Sequence, residues 1–262
     1  MTAPSWRGVR RLALLVVVSF VALQLYFLAR VAMMAVLDPQ STTFQRSEAW
    51  RLAVDSRPHA WRQQWADYPA ISANLKRAVI AAEDSGFTEH SGVEWDALEK
   101  AWDKNERADQ AAEQAAEQAA QRAQRKEAKP TTRAPATRAP KVVGGSTITQ
   151  QLAKNLFLSG ERNFLRKGQE LVLSWELEAI LGKRRILEIY LNEVEWGEGV
   201  FGATAAAQRY FGVSAAALGA QQSAQLAVML PAPKRFEKRP GSAYVLGRAS
   251  TIVARMGRVD VP

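Results

Sequence analysis

The chain opens with a long apolar run. A polar stretch follows this run, and the rest of the chain shows the periodicity of amphipathic helices. Residues 12–29 contain no charged side chain, and the apolar character resumes after Arg30 as far as Leu37. A helix needs about 20 predominantly apolar residues to cross a bilayer, so residues 12–37 are predicted to form a transmembrane anchor. A cleaved signal peptide is the alternative, but its apolar core is normally only about 7–15 residues long.

Beyond the anchor, the pattern favours one mainly α-helical domain. Residues 38–60 are polar and interrupted by prolines, and they are predicted to form a stalk. Helical periodicity begins near Ser72 and continues to the C-terminus with one interruption, while the alternation typical of strands is scarce. Residues 61–262 are therefore predicted to form the helical domain.

The interruption is a low-complexity segment at about residues 106–141. Residues 108–129 combine Ala, Gln, Glu, Arg and Lys without an apolar stripe, and three prolines then recur at intervals of five residues. A helix without an apolar stripe has no face to bury, and proline-rich polar sequence is typical of an extended linker. We interpret the segment as an insertion within one domain. A boundary between two domains is the alternative, although residues 72–101 are few for a core of their own.

Charge and composition narrow the function classes. The formal net charge is +9 and the pI is about 10.0, which indicates an anionic partner such as a nucleic acid, a phospholipid or a phosphorylated substrate. Nucleic acid ranks low because no zinc-finger spacing or RNA-binding signature is present. Cysteine is absent and only two histidines occur, so no disulfide framework or cysteine–histidine metal cluster is predicted. Three arginines precede the anchor, which by the positive-inside rule keeps residues 1–11 in the cytoplasm.

Glu83 is the first candidate catalytic residue. Leu75, Val79 and Glu83 recur at a spacing of four residues, so Glu83 extends an apolar stripe. Gly86 suits the end of that helix and places Glu83 near its partially negative C-terminus. Burial, the helix dipole and neighbouring Asp84 would each raise the pKa of the carboxyl group, as a general acid or base near neutral pH requires. A surface Glu-Asp pair at a helix end is the alternative.

A capped helix entrance follows the low-complexity segment, in the sequence GGSTITQQLAKN at residues 144–155. Thr147 followed by Gln150 fits a capping box, which predicts where the helix begins. The unpaired N–H groups and partial positive charge of a helix N-terminus favour phosphate and other anions. Gln151 and Lys154 are three residues apart, so they share a face and can contact one ligand. An ordinary capped helix is the alternative.

Glu170 is a second candidate carboxylate. Glu170, Leu173 and Leu177 share a stripe on a helix that is apolar almost all round, so this helix is predicted to be central in the fold. A buried carboxylate needs a partner, and Arg166 or Lys167 can supply it from the preceding turn. A structural ion pair without a catalytic role is the alternative.

Four motifs of the chain occur in a defined order. They are Glu83-Asp84-x-x-Phe87-x-x-His90-x-Gly92, residues 144–155, Arg166-Lys167-x-x-Glu170 and Ile186-Leu187-Glu188-x-Tyr190-Leu191-Asn192. This set resembles the family 51 glycosyltransferases, which are the peptidoglycan glycosyltransferases or murein polymerases. The resemblance covers about residues 69–233, apart from the low-complexity segment, and is closest to the monofunctional branch of the family.

The resemblance implies a mainly α, lysozyme-like glycosyltransferase fold that polymerises lipid II into β-1,4-linked glycan strands and releases undecaprenyl pyrophosphate. It implies that Glu83 is the general base for the acceptor hydroxyl, and that Glu170 helps to position the donor pyrophosphate. The cationic residues that match its pyrophosphate positions are Lys154, Arg162, Arg166 and Lys167. The other matching substrate-binding positions are Asp84, Phe87, His90, Ser146, Thr147, Gln150, Gln151 and Asn155. Family members often use a divalent cation, Mg or Mn, at the pyrophosphate, whereas the sequence itself shows no cofactor motif or metal cage.

The same resemblance implies partners and a location. The expected partners are lipid II, the growing glycan chain, the membrane and proteins of cell-wall synthesis or division. The expected location is the inner membrane of a bacterium, with a single pass, a cytoplasmic N-terminus and a periplasmic catalytic domain. A lysozyme-like lytic enzyme that cleaves peptidoglycan is one alternative, but it has little use for the cationic residues or the anchor. An inactive membrane scaffold for cell-wall proteins is the other, and the two intact carboxylates argue against it.

Overall fold

The computed structural model describes residues 6–55, 60–95, 99, 145–158 and 164–262. The chain divides into two compact units, Met1–Val93 with Thr147–Pro262, and Glu94–Ser146. The segment at about 106–141 that we interpret as an insertion lies outside the described residues, as does Arg162. All elements named below belong to the first unit.

Helices make up most of the first unit, as the sequence pattern predicts. The helices are α1 (Trp6–Met33), α2 (Thr43–Val54), α3 (Ala73–Glu83), α4 (Ile148–Phe157), α5 (Phe164–Glu193), α6 (Ala203–Phe211), α7 (Ala220–Met229), α8 (Pro233–Phe236) and α9 (Ala243–Met256). Single turns of 3₁₀ helix lie at Tyr68–Ala70 and Ala215–Ala217. The strands are β1 (Arg62–Gln63), β2 (Glu195–Gly197) and β3 (Val200–Phe201).

Helix α1 is long and apolar enough to cross a membrane. It has 28 residues, and an 18-residue window within it has a mean hydropathy of 2.5 and is only 6% buried. Leu14, Val17 and Phe20 are each more than half exposed. A helix that exposes apolar side chains along most of its length fits a bilayer better than water. Helix α1 therefore has the properties of a single-pass membrane anchor.

The C-terminal part of α1 packs against the rest of the unit. Phe27 is 9% exposed, and its ring meets that of Phe157 edge-on at 5.4 Å between centroids. Gln24 and Gln169 exchange two hydrogen bonds, of 2.9 and 3.0 Å, between their side-chain amides. Reciprocal hydrogen bonds between two amides satisfy both polar groups in an apolar setting, so they give α1 a defined orientation against α5.

The described part of the predicted stalk is folded. Residues 38–60 contain α2, and this helix begins with a capping box between Thr42 and Gln45. Gln45 and Leu52 are buried, and Gln45 donates a hydrogen bond of 3.3 Å to the backbone oxygen of Glu193. Mixed polar sequence with prolines predicts an irregular segment, but these few inward contacts are enough to hold a helix against the unit.

Helix α3 lies in the middle of the core, packed against α7 and α9. Leu75 and Val79 of α3 are fully buried, as are Leu226 of α7 and Val245 of α9. The helix begins after Ser72, whose hydroxyl accepts a hydrogen bond from a backbone N–H of the first turn and donates one of 2.8 Å to the oxygen of Leu218. The Ser72 cap and the core contacts together hold α3 in place, and they therefore determine where its C-terminal end lies.

Helix α5 consists of two segments joined at Gly182. This glycine has φ 70° and ψ 165°, a backbone conformation that a side chain would strain. The second segment is central, and Ile186 is one of several residues in it that are fully buried. The first segment buries Leu173 and Leu177 in the core, whereas Leu165 and Trp175 are 89% and 51% exposed. The predicted central position is therefore confirmed for the stripe that carries Glu170 but not for the other side of this segment, which α1 and α4 leave uncovered.

The three strands form one small sheet in the order β1-β3-β2. Strand β1 runs parallel to β3, with Arg62 opposite Val200, and β2 runs antiparallel to β3. Gly202, which follows β3, has φ 83°, and a Cβ atom there would lie 2.7 Å from the backbone oxygen of Asn192. Only glycine allows the chain to pass this close to the end of α5.

Candidate active site

Glu83 is the last residue of α3, at the position that the sequence pattern predicts. Its Oε2 accepts a hydrogen bond of 2.9 Å from Nε2 of Gln151 on α4. Burial is the largest influence on the pKa of Glu83 and raises it; the hydrogen bond from Gln151 and the charge of Lys154 oppose this, while the charge of Asp84 adds to it. The net result is a raised pKa, so this carboxyl group binds a proton more readily than an exposed glutamate does.

Tyr190 orients the amide that meets Glu83. Its hydroxyl donates a hydrogen bond of 2.9 Å to Oε1 of Gln151, so the other end of the amide presents its N–H to the carboxylate. Burial raises the pKa of Tyr190 well above its usual value, and the negative charges of Glu83 and Asp84 raise it further. The hydroxyl therefore stays protonated and acts as a donor.

Tyr190 lies in the fourth motif of the sequence but is not among the predicted catalytic or substrate-binding residues. One signal was present in the sequence. A tyrosine within the aliphatic run Ile186-Leu187-Glu188-Ile189-Tyr190-Leu191 needs a partner for its hydroxyl if the run is buried. The sequence does not indicate which residue that partner is.

Asp84 joins the end of α3 to the start of α4. It is 4% exposed, and its Oδ2 accepts a hydrogen bond of 3.0 Å from the backbone N–H of Ile148, the first residue of α4. Its Oδ1 lies 2.9 Å from Nε2 of His90. Glu83 and Gln151 lie on these two helices. The hydrogen bond between Asp84 and Ile148 therefore helps to keep the carboxyl group of Glu83 next to the amide of Gln151.

His90 and Thr147 extend the same junction. The N–H of Gly92 donates to Nδ1 of His90 at 3.1 Å, so Nδ1 is an acceptor and Nε2 carries the hydrogen that is given to Asp84. The hydroxyl of Thr147 donates a hydrogen bond of 2.6 Å to the backbone oxygen of Gly92. These contacts tie the turn after α3 to the first turn of α4.

The predicted capping box at the start of α4 is present. Thr147 and Gln150 exchange the two expected hydrogen bonds, each of 3.2 Å, and both residues are almost completely buried. The N–H groups of Ile148 and Gln150 are thereby used by Asp84 and Thr147. The helix entrance does bind an anion, as its dipole favours, but that anion is Asp84 of the same chain. The expected opening for a phosphate is therefore not found at these two N–H groups.

The remaining predicted substrate-binding residues differ in their surroundings. Phe87 is fully buried, and Lys183 Nζ lies 4.6 Å from the centre of its ring, so Phe87 packs in the core and lines no surface. Lys154 is exposed and Asn155 is half-buried, both on α4 one turn beyond Gln151. Ser146 belongs to the second unit.

Glu170 has two cationic partners. It is 3% exposed, and its Oε2 accepts a hydrogen bond of 2.9 Å from Nη1 of Arg166. Its Oε1 accepts a second from Nζ of Lys167. Each carboxylate oxygen is thus engaged by a positive charge, and both partners that the sequence suggests are used. Glu170 therefore holds two cationic side chains close together on one side of α5.

Glu178 connects the two carboxylates through the packing of α4 on α5. Its Oε1 accepts hydrogen bonds of 2.6 Å from the hydroxyl of Thr149, next to the α4 cap, and from Nζ of Lys183. Gly92 passes close by, since a Cβ atom there would lie 3.0 Å from Cγ of Glu178. Glu178 lies two turns beyond Glu170 on the same segment, so the packing of α4 on α5 links the Glu83–Gln151 group to the Glu170 group.

The chain matches known proteins over most of its length. A transglycosylase family model matches residues 51–130 and 127–257, and the two ranges meet inside the segment that we interpret as an insertion. A biosynthetic peptidoglycan transglycosylase of Burkholderia orbicola is 47% identical over 244 residues, which are 93% of this chain and 87% of the relative. A protein of the same name from Burkholderia thailandensis is 48% identical over 244 residues, 93% of this chain and 84% of the relative.

The fold and the site define a mainly helical enzyme with a lysozyme-like domain, a proton-binding carboxyl group and an N-terminal apolar helix. The family match and the identities to these relatives are decisive for the assignment. The chain belongs to the transglycosylase family.

Proposed function

We propose that the chain is a peptidoglycan glycosyltransferase that polymerises lipid II into β-1,4-linked glycan strands, with Glu83 as its general base. Family membership and the names of the relatives support glycan polymerisation in cell-wall synthesis. The observation that carries the role of Glu83 is its raised pKa together with the amide that Tyr190 turns toward it. A base needs both a high proton affinity and a defined position.

In this mechanism, Glu83 accepts the proton of the 4-hydroxyl group of the acceptor N-acetylglucosamine. The freed oxygen attacks C1 of the donor N-acetylmuramic acid with inversion, and the bond from C1 to the pyrophosphate breaks. Gln151 and the charge of Lys154 stabilise the ionised carboxylate before the transfer, whereas burial favours the protonated form after it. Undecaprenyl pyrophosphate leaves with the electron pair of the broken bond.

Cationic side chains would balance the charge of the leaving pyrophosphate. The candidates among the described residues are Lys154 on α4 and Arg166 and Lys167 on α5. Arg162 is expected to contribute to the same charge balance. Glu170 would keep Arg166 and Lys167 in place. A divalent cation held by Glu170 does not fit this arrangement, because both oxygens of that carboxylate already bind cations. No step is therefore assigned to a metal ion.

The remaining predicted contacts fall into two groups. Asn155 would bind substrate directly, beside Gln151 and Lys154, while substrate binding by Ser146 stays a sequence-based prediction. The others, namely Asp84, Phe87, His90, Thr147 and Gln150, would act through the framework that positions Glu83, since their side chains are engaged within the protein.

The enzyme would act at the inner membrane on a lipid-linked substrate. Arg7, Arg10 and Arg11 at the start of α1 favour a cytoplasmic N-terminus, which places the catalytic domain in the periplasm. The exposed apolar side chains of the first α5 segment, including Leu165 and Trp175, would enter the same bilayer because this segment packs against α1. Lipid II, the growing glycan chain and the membrane are the proposed partners. Cell-wall or division proteins stay a sequence-based prediction.

The test is incubation of the detergent-solubilised full chain with labelled lipid II, followed by muramidase digestion of the product. The wild type is expected to form a muramidase-sensitive polymer, and Glu83→Gln to be slower by about 100-fold or more. Glu89→Gln is the matched control, since Glu89 is exposed in the turn after α3. Anhydro-sugar fragments released from finished cell wall would instead support a lytic enzyme. Full complementation in cells by Glu83→Gln would support an inactive scaffold.

A further inference from the structure

The C-terminal end of α1 borders a pocket that is separate from the Glu83 site. Its volume is about 300 Å³. The lining combines the apolar side chains of Met33, Met34 and Leu37 with two arginines, Arg30 and Arg46. Apolar surface beside a pair of guanidinium groups suits an amphiphilic anion better than a soluble one.

The two arginines have only uncharged partners within the described part of the chain. Arg30 donates a long hydrogen bond of 3.4 Å to the hydroxyl of Tyr26. Arg46 donates to the backbone oxygen and hydroxyl of Ser41, at 3.2 and 3.1 Å, and to the hydroxyl of Thr43 at 3.0 Å. These bonds orient the Arg46 guanidinium without neutralising its charge.

The acidic residue in the lining is bound elsewhere. Asp38 accepts a hydrogen bond of 2.7 Å from Nη2 of Arg185, which also pairs with Glu188. Asp38 therefore does not balance Arg30 or Arg46, and the pocket has a surplus of positive charge. A phosphate diester, which guanidinium groups bind well, would compensate this surplus.

We propose that this pocket binds one anionic phospholipid, with its phosphate between Arg30 and Arg46 and an acyl chain against Met33 and Leu37. The inference rests on the proposed membrane anchoring by α1. Arg30 lies in the last turn of that helix, at the level where lipid headgroups meet the domain. Because Arg46 belongs to α2, one lipid contacts both the anchor and the domain and stabilises the angle between them.

The test uses the purified full chain in neutral detergent, titrated by native mass spectrometry with phosphatidylglycerol or with phosphatidylcholine of the same acyl chains. The wild type is expected to bind one phosphatidylglycerol in clear preference to phosphatidylcholine. Arg30→Gln with Arg46→Gln is expected to weaken this binding about tenfold, since each arginine near a headgroup contributes to the affinity. Arg77→Gln with Arg248→Gln is the matched control, because both of these arginines are exposed on other helices.

Equal binding of the two lipids by the wild type would overturn the proposal, as would an equal loss in the two double variants. Displacement of phosphatidylglycerol by undecaprenyl pyrophosphate, with loss of polymerisation in Arg30→Gln with Arg46→Gln, would assign the pocket to the substrate and also overturn it. Thermal unfolding of each variant checks its fold. Polymerisation of lipid II in detergent, without phospholipid, is expected to persist in both double variants. Failure of the wild type to polymerise would count against the proposed function and not against the lipid pocket.

Discussion

The two candidate carboxylates, Glu83 and Glu170, have opposite surroundings. Glu83 is half-buried, accepts a hydrogen bond from a neutral amide and has a pKa that burial raises. Glu170 is more deeply buried, yet Arg166 and Lys167 each bind one of its oxygens. Burial dominates the surroundings of Glu83, whereas cationic partners dominate those of Glu170.

The partners of each carboxylate, and not its depth, therefore separate the two roles. Both oxygens of Glu170 accept hydrogen bonds from cationic side chains, so Glu170 suits the positioning of those cations. Glu83 can take up a proton because its partners oppose burial only in part. Mutations at the two positions should then affect activity and stability differently.

The largest expected contrast comes from Glu83→Gln. This change removes the base, so polymerisation should fall by about 100-fold or more. Stability should be unchanged or higher at pH 7. Folding raises the pKa of Glu83, so its stabilising contribution is lost as the pH rises through that pKa. Glutamine has no charge to bury at any of these pH values. Thermal unfolding in detergent at pH 5 and pH 8 measures this. Glu83→Gln that unfolds well below the wild type at pH 8 would contradict the account of Glu83.

Glu170→Gln is expected to lower stability, unlike Glu83→Gln. Glutamine cannot neutralise Arg166 and Lys167, so the free energy of unfolding should fall by about 1–3 kcal/mol. Activity should fall as well, since the two cations lose their positions. Glu176→Gln on the same segment is the control, because its buried Oε2 has no hydrogen-bond partner among the described residues, so its replacement costs little. An unchanged unfolding temperature for Glu170→Gln would remove the distinction between the two carboxylates.

A smaller effect is expected for Tyr190→Phe, which tests the positioning of Gln151. Loss of the hydroxyl leaves Oε1 of Gln151 without this donor, so stability should fall by about 1 kcal/mol and the rate by roughly tenfold. The acid limb of the pH profile should also move to higher pH, because the hydrogen bond from the Gln151 amide, which lowers the pKa of Glu83, weakens. A purely structural role for Tyr190 would leave that limb in place. Tyr244→Phe, at an exposed tyrosine, is the control.

Local sequence patterns predict the parts of this site that depend on residues close together in the chain. The stripe of α3 places Glu83 at the helix end, and the Thr147–Gln150 capping box begins α4. Arg166 and Lys167 lie within one turn of Glu170 and pair with it. Each of these features depends on helical spacing alone, which explains why the sequence is sufficient.

Contacts between distant segments could not be predicted in the same way. Asp84 occupies an N–H of Ile148, 64 residues away, and so fills the anion site that the isolated helix entrance presents. The hydroxyl of Tyr190 reaches Gln151 across 39 residues. Trp175 is exposed although its helix is apolar almost all round, because its burial depends on which neighbouring helices cover that side and not on its own periodicity.

The smallest expected effect separates the charge around Glu83 from its burial. The charge of Lys154 lowers the pKa of Glu83, so Lys154→Gln should raise that pKa and move the acid limb of kcat/KM to higher pH. The shift should be small and should shrink with added salt, because Lys154 is exposed. Lys238→Gln, at another exposed lysine, should leave the limb unchanged. If Lys154→Gln lowers the rate equally at every pH, then Lys154 acts on the substrate alone and burial, with Gln151, accounts for the proton affinity of Glu83.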